Sequence, residues 1–134
     1  MTTELSIATK VGTKYKYVSP QLSPNKTDLV CKDENNCAGI LELSNEPFFW
    51  KVDEKTKSIS MTSKNGVSLY WDKYDETPNR PVYLWKKKHK LNQAFDVTEG
   101  NGMHLELSVD SKNNQVFSSS KSNRKWIVQR MPTV

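Results

Sequence analysis

The side chains best suited to nucleophilic or metal chemistry are few: His89, His104, Cys31 and Cys37. Neither histidine sits in an HExxH setting, and no P-loop, GxGxxG, GxSxG or CxxC pattern occurs. Carboxylates are plentiful but scattered, as acids on a solvated surface are. The expectation is therefore a binding protein rather than an enzyme, with no catalytic residues, no metal and no cofactor. The densest chemistry is cationic. Lys86, Lys87, Lys88 and Lys90 surround His89 in a run of five residues, a concentration of charge suited to phosphate, a sulfated glycan, an acidic protein surface or RNA. The same run also reads as a solvated hairpin that discourages edge-to-edge aggregation. Trp71, Tyr74, Tyr83 and Trp85 lie close by in sequence and would offer stacking surfaces to single-stranded nucleic acid, or simply pack a core.

The setting for these residues is a chain of 134 residues, the size of one domain, with 35% hydrophobic and 26% charged residues and a net charge of +5. That balance suggests a thin core beneath a polar surface and a preference for acidic partners. The first residues contain no apolar run of signal-peptide length, and no stretch reaches the roughly 18 apolar residues of a membrane span. A cytoplasmic or otherwise intracellular location without membrane insertion is expected, and a mature secreted form is compatible with the sequence. Cys31 and Cys37 are too few for a disulfide framework and read as reduced thiols, although the short segment between them is able to close as a loop.

No segment carries a sustained helical apolar stripe. Short runs alternate with period two and end in Asn, Gly, Pro, Ser or Lys, which reads as strands at 14–18, 28–32, 39–43, 48–52, 58–61, 67–71, 82–86, 93–97, 103–107, 115–118 and 125–129. Asn65-Gly66 and Asn101-Gly102 are hairpin-turn signals. Many short strands at regular spacing, with no helix, predict an all-β sandwich or barrel.

Three of these runs end alike: Trp50-Lys51-Val52, Phe95-Asp96-Val97 and Trp126-Ile127-Val128. Between the first two the chain reads Val82-Tyr83-Leu84-Trp85 and then Asn92-Gln93-Ala94-Phe95. On these residues the sequence resembles the ricin B-type β-trefoil family, whose repeat joins Val-x-Leu-Trp to Asn-Gln-x-Trp. The stretch Gly66 to Val97 carries most of the likeness, and the outer copies match mainly at the closing aromatic and its valine. The resemblance implies a single β-trefoil domain over residues 1–134, with three repeats of about four strands at roughly 1–52, 53–97 and 98–134.

The resemblance also implies a site. In such lectins the aromatic of Val-x-Leu-Trp stacks on a sugar, while the Asn of Asn-Gln-x-Trp and an acidic residue bind its hydroxyls. Trp85 and Asn92 match, with Gln93 beside them. Tyr70 stands where the family has its acid, and Asp72, two residues on along the same strand face, supplies a carboxylate instead. Ser68 and Lys87 replace the usual bracing cysteines, and the positions matching Trp85 fall near Cys31 and Ser119, neither able to stack. At most one sugar site is thus expected, in the central repeat, with a glycan or glycoprotein as partner. Trp85 and Gln93 would equally serve packing and internal hydrogen bonding. Two other classes fit such a domain: an adaptor gripping protein or RNA through the trefoil surface and basic loop, and a loop-presenting protease inhibitor.

Overall fold

The computed structural model describes residues 2–22, 39–63, 66–73, 82–86, 93–120 and 124–132. Within them the fold is all-β and antiparallel. Eleven strands follow in order: β1 (Thr2–Val11), β2 (Lys14–Leu22), β3 (Gly39–Ser44), β4 (Trp50–Asp53), β5 (Ser58–Thr62), β6 (Ser68–Asp72), β7 (Tyr83–Trp85), β8 (Gly100–His104), β9 (Leu107–Val109), β10 (Val116–Ser118) and β11 (Lys125–Arg130).

The strand order β2-β3-β7-β6-β5-β4-β1 returns to its start, because β2 also pairs with β1. Strand β1 is the hinge of this circuit. Its first residues pair with β4 (Leu5↔Trp50), its last with β2 (Val11↔Lys14), and its middle with β11 (Leu5↔Arg130 to Thr9↔Trp126). Sequence reasoning missed this strand, although Leu5, Ile7, Thr9 and Val11 alternate along it. With neighbours along its whole length, residues 5–9 are buried without interruption, and the small Ser6 and Ala8 fit where larger side chains would not. The turn into β2 is closed by Gly12 at φ 64°, the first of two loop residues, a place that requires positive φ in the favoured hairpin turns.

Three hairpins, β2–β3, β6–β7 and β9–β10, meet one another in pairs. Ile40 of β3 lies opposite Tyr83 of β7. The Val82 amide donates to the Val116 carbonyl at 3.2 Å, and the Leu43 amide donates to the Asn114 carbonyl at 2.9 Å. A bridge joins Glu42 to Gln115.

The core contains Leu5, Ile7, Val18, Leu41, Ile59, Leu69, Leu84 and Leu107 around three fully enclosed tryptophans, Trp50, Trp71 and Trp126. Its aromatic spine runs Phe48–Trp50–Trp71–Phe95, with centroids 4.7, 5.3 and 5.4 Å apart and the last two contacts edge-on. Such tilted pairs let a positive ring edge meet a negative face. The Trp50 indole N–H donates to the Val18 carbonyl at 2.9 Å, whereas those of Trp71 and Trp126 have no acceptor among the described residues.

Several expectations need correction. Residues 93–97 form no regular strand: Gln93 lies in a short helical turn and the next five residues have no ladder, although the Phe95 amide donates to the Lys57 carbonyl at 2.8 Å. The run 103–107 divides between β8 and β9, with Leu105 and Glu106 between them. Asn101-Gly102 does not turn a hairpin. Trp126 faces Met103 and Ile127 faces Asn101, so Gly102 is the extra residue of a β-bulge, and its φ of 73° is the conformation such bulges assign to glycine. The strand expected at 28–32 and both cysteines lie outside the described residues.

Candidate functional site

Strands β6 and β7 sort their residues by the period of two. Leu69, Trp71, Val82 and Leu84 turn inward and are buried, while Tyr70, Asp72, Tyr83 and Trp85 belong to the other face. Register sets these four in two cross-strand pairs, Tyr70↔Trp85 and Asp72↔Tyr83. Next to Tyr70 stands Ser60 of β5, and next to Tyr83 stands Ile40 of β3. Three rings, all half-buried, thus share one sheet face, with Tyr70 and Trp85 at the spacing where cross-strand aromatics touch.

Beneath this face lies a buried polar joint. The Gln93 amide nitrogen donates to Asp72 Oδ2 at 3.1 Å and to the Lys86 carbonyl at 2.9 Å. Asp72 is 1% exposed and Gln93 5%. The joint ties the end of β6 to the end of β7, so both residues hold the platform in place rather than line its surface. A carboxylate this enclosed is stable only with such donors, which explains an amide at position 93.

Of the residues singled out from sequence, the fold brings Tyr70, Asp72, Trp85, Lys86 and Gln93 together, and adds Tyr83 to the platform. Asn92, Lys87, Lys88 and Lys90 fall outside the described residues.

A second concavity escaped the sequence. A cleft of about 230 Å³ opens over Phe95 and Val97, rimmed by Lys73, Asp96, His104 and Glu106. Its charges are mutually engaged: Lys73 Nζ stands 4.8 Å from the Phe95 ring centroid and 4.0 Å from the Glu106 carboxylate, and Lys57 pairs with Asp96 at 2.8 Å. These residues come from segments 23 or more positions apart for Lys73 and Asp96, with no motif linking them. Only the paired fold reveals them as neighbours.

No family model matches the sequence, and no curated protein or solved structure gives a significant match to it.

Proposed function

We propose that this chain is a β-trefoil domain that binds carbohydrate non-catalytically, at one site built on Trp85. Two observations support the trefoil. The three closing aromatics Trp50, Phe95 and Trp126 are all buried, and so is the valine two residues after each: Val52, Val97 and Val128. The three hairpins β2–β3, β6–β7 and β9–β10 touch one another in all three combinations, the arrangement expected of a cap about a pseudo-threefold axis.

One observation carries the sugar reading. Trp85 is only half-buried on the non-core face and directly opposite Tyr70, while its neighbour Leu84 is fully buried. Flat aromatic surface of this kind covers the C–H face of a pyranose, and nearby polar groups orient its hydroxyls. Asp72 and Gln93 serve by fixing the hairpin, so the family's direct carboxylate contact has no counterpart in Asp72 on this reading.

The test is NMR titration of mono- and disaccharides against the wild-type domain and Trp85→Ala. Binding to one site with a Kd of roughly millimolar to micromolar is expected, because a single ring covers little area. Trp85→Ala should abolish it with the amide spectrum otherwise preserved. Sugar binding that survives Trp85→Ala, or shifts that cluster away from β6 and β7, overturns the assignment and moves the adaptor reading into first place.

A further inference from the structure

The distribution of charge between paired strands singles out the end of β1 that turns into β2. Residues 5–22 contain no aspartate or glutamate, and neither do residues 111–132. The first stretch holds three cations (Lys10, Lys14, Lys16) and the second five (Lys112, Lys121, Arg124, Lys125, Arg130). These eight exceed the whole chain's net +5, so the remainder of the sequence carries a net −3. Pairing of β1 with β11, from Leu5↔Arg130 to Thr9↔Trp126, sets the two acid-free stretches side by side.

The charges concentrate at the β1–β2 turn. Arg124 Nη1 donates to the Lys10 carbonyl at 3.2 Å, and Thr9 Oγ1 donates to the Lys125 carbonyl at 2.9 Å, which anchors the start of β11 against the hairpin. Lys14 and Lys16 face Val11 and Thr9 across the hairpin. None of Lys10, Lys14, Lys16 or Lys125 makes an ion pair among the described residues. His104 stands opposite Lys125, and the nearby Glu106 is engaged by Lys73. Tyr15, the cross-strand partner of Lys10, shares the outer sheet face with Lys10 and Lys125, whereas Lys14 and Lys16 alternate to the opposite face. It is 48% exposed, one of two large hydrophobic side chains left exposed among the described residues.

Cations alone suit any polyanion, but an exposed flat ring beside them suits one whose anionic groups alternate with flat bases. We infer that the β1–β2 hairpin tip, with Arg124 and Lys125, binds single-stranded nucleic acid. Lys10, Arg124 and Lys125 contact phosphates and Tyr15 stacks on a base. This inference is independent of the sugar site.

Fluorescence anisotropy with labelled oligo(U) and oligo(dT) of about ten nucleotides, across a salt series, tests it. Three phosphate contacts give a log–log salt slope of about −2. Lys10→Gln/Lys125→Gln should flatten that slope by about 1.4. Tyr15→Ala should weaken binding about ten-fold with the slope retained, and Tyr15→Phe should restore it. Trp85→Ala should leave oligonucleotide binding unchanged. Three results overturn the inference: indifference of oligonucleotide binding to Tyr15→Ala, a larger loss from Lys87→Gln/Lys88→Gln/Lys90→Gln than from Lys10→Gln/Lys125→Gln, or binding of a heparin-derived oligosaccharide with none of either oligonucleotide at the same salt.

Discussion

Trp71 and Trp85 stand on adjacent strands of one sheet, with Trp71 opposite Leu84 and Trp85 opposite Tyr70. One is fully enclosed, edge-on to both Trp50 and Phe95, and the other is only half-buried beside a tyrosine. The same residue type thus does opposite work according to which side of the pleat it occupies. Substitution makes the contrast measurable. Trp71→Ala should destabilise by about 3–5 kcal/mol, enough to unfold a marginal domain. Trp85→Ala should cost far less in urea unfolding while removing the sugar contact. Equal losses of stability from the two would erase the distinction between core and platform.

The polar joint between the two faces should rank next. Gln93→Leu removes one donor from the buried Asp72 and leaves the Lys86 carbonyl without this amide, at a cost of roughly 1–3 kcal/mol. Asp72→Asn keeps the volume but alters the bond that Gln93 makes, so the double variant should be less harmful than the two single changes added together. Strict additivity in a double-mutant cycle would show that the two residues act separately.

The third contrast is between indoles of the same core. Trp50 donates its N–H to the Val18 carbonyl, whereas the Trp71 N–H has no acceptor among the described residues. Replacement by Phe deletes a satisfied donor in one case and an orphan in the other. Trp50→Phe should therefore be the more destabilising by about 1 kcal/mol, since the burial lost is similar and the hydrogen bond is not. Thermal unfolding of both variants checks it, and the reverse order would point to packing as the controlling term.

Period-two alternation made most strands readable from sequence, but whether Trp85 packs or faces outward became clear only from the burial of Leu84 beside it. What it did not reveal has physical causes. Strand β1 went unrecognised although Leu5, Ile7 and Thr9 alternate, because the positions between them carry the small Ser6 and Ala8, buried as well, instead of the charged residues that mark a solvent face. Asn101-Gly102 has the chemistry of a turn, yet a positive φ serves a bulge equally well, and only the pairing of β8 with β11 decides between them. At the candidate site, it was the resemblance of residues 66–97 to a known repeat that marked Trp85, and Tyr70 only as the residue standing at that repeat's acidic position. The burial of Asp72 was not visible, because the Gln93 amide that neutralises its cost is 21 residues away. The basic hairpin tip depends on contacts between β1 and β11 more than a hundred residues apart, beyond any local pattern.

The smallest effect expected lies at a turn rather than in the core or on the platform. Between β4 and β5, Asp53 Oδ1 accepts hydrogen bonds from the Thr56 amide at 3.2 Å and the Lys55 amide at 3.0 Å. These backbone donors, that of Thr56 foremost, hold its carboxyl below the usual 3.8. A carboxyl depressed in the folded state contributes stability above its unfolded pKa and loses it as pH falls through the folded one. The contribution is therefore complete at neutral pH and fades below about pH 4, where protonation weakens both bonds. Asp53→Asn keeps an acceptor oxygen but removes the charge, so its melting temperature should lie slightly below wild type at pH 7 and converge with it as acid protonates wild-type Asp53. The side chain is open to solvent, so this difference should be well below that of Gln93→Leu. A constant gap between the two proteins from pH 7 to pH 2 would mean that the turn depends on the shape of residue 53 and not on its charge.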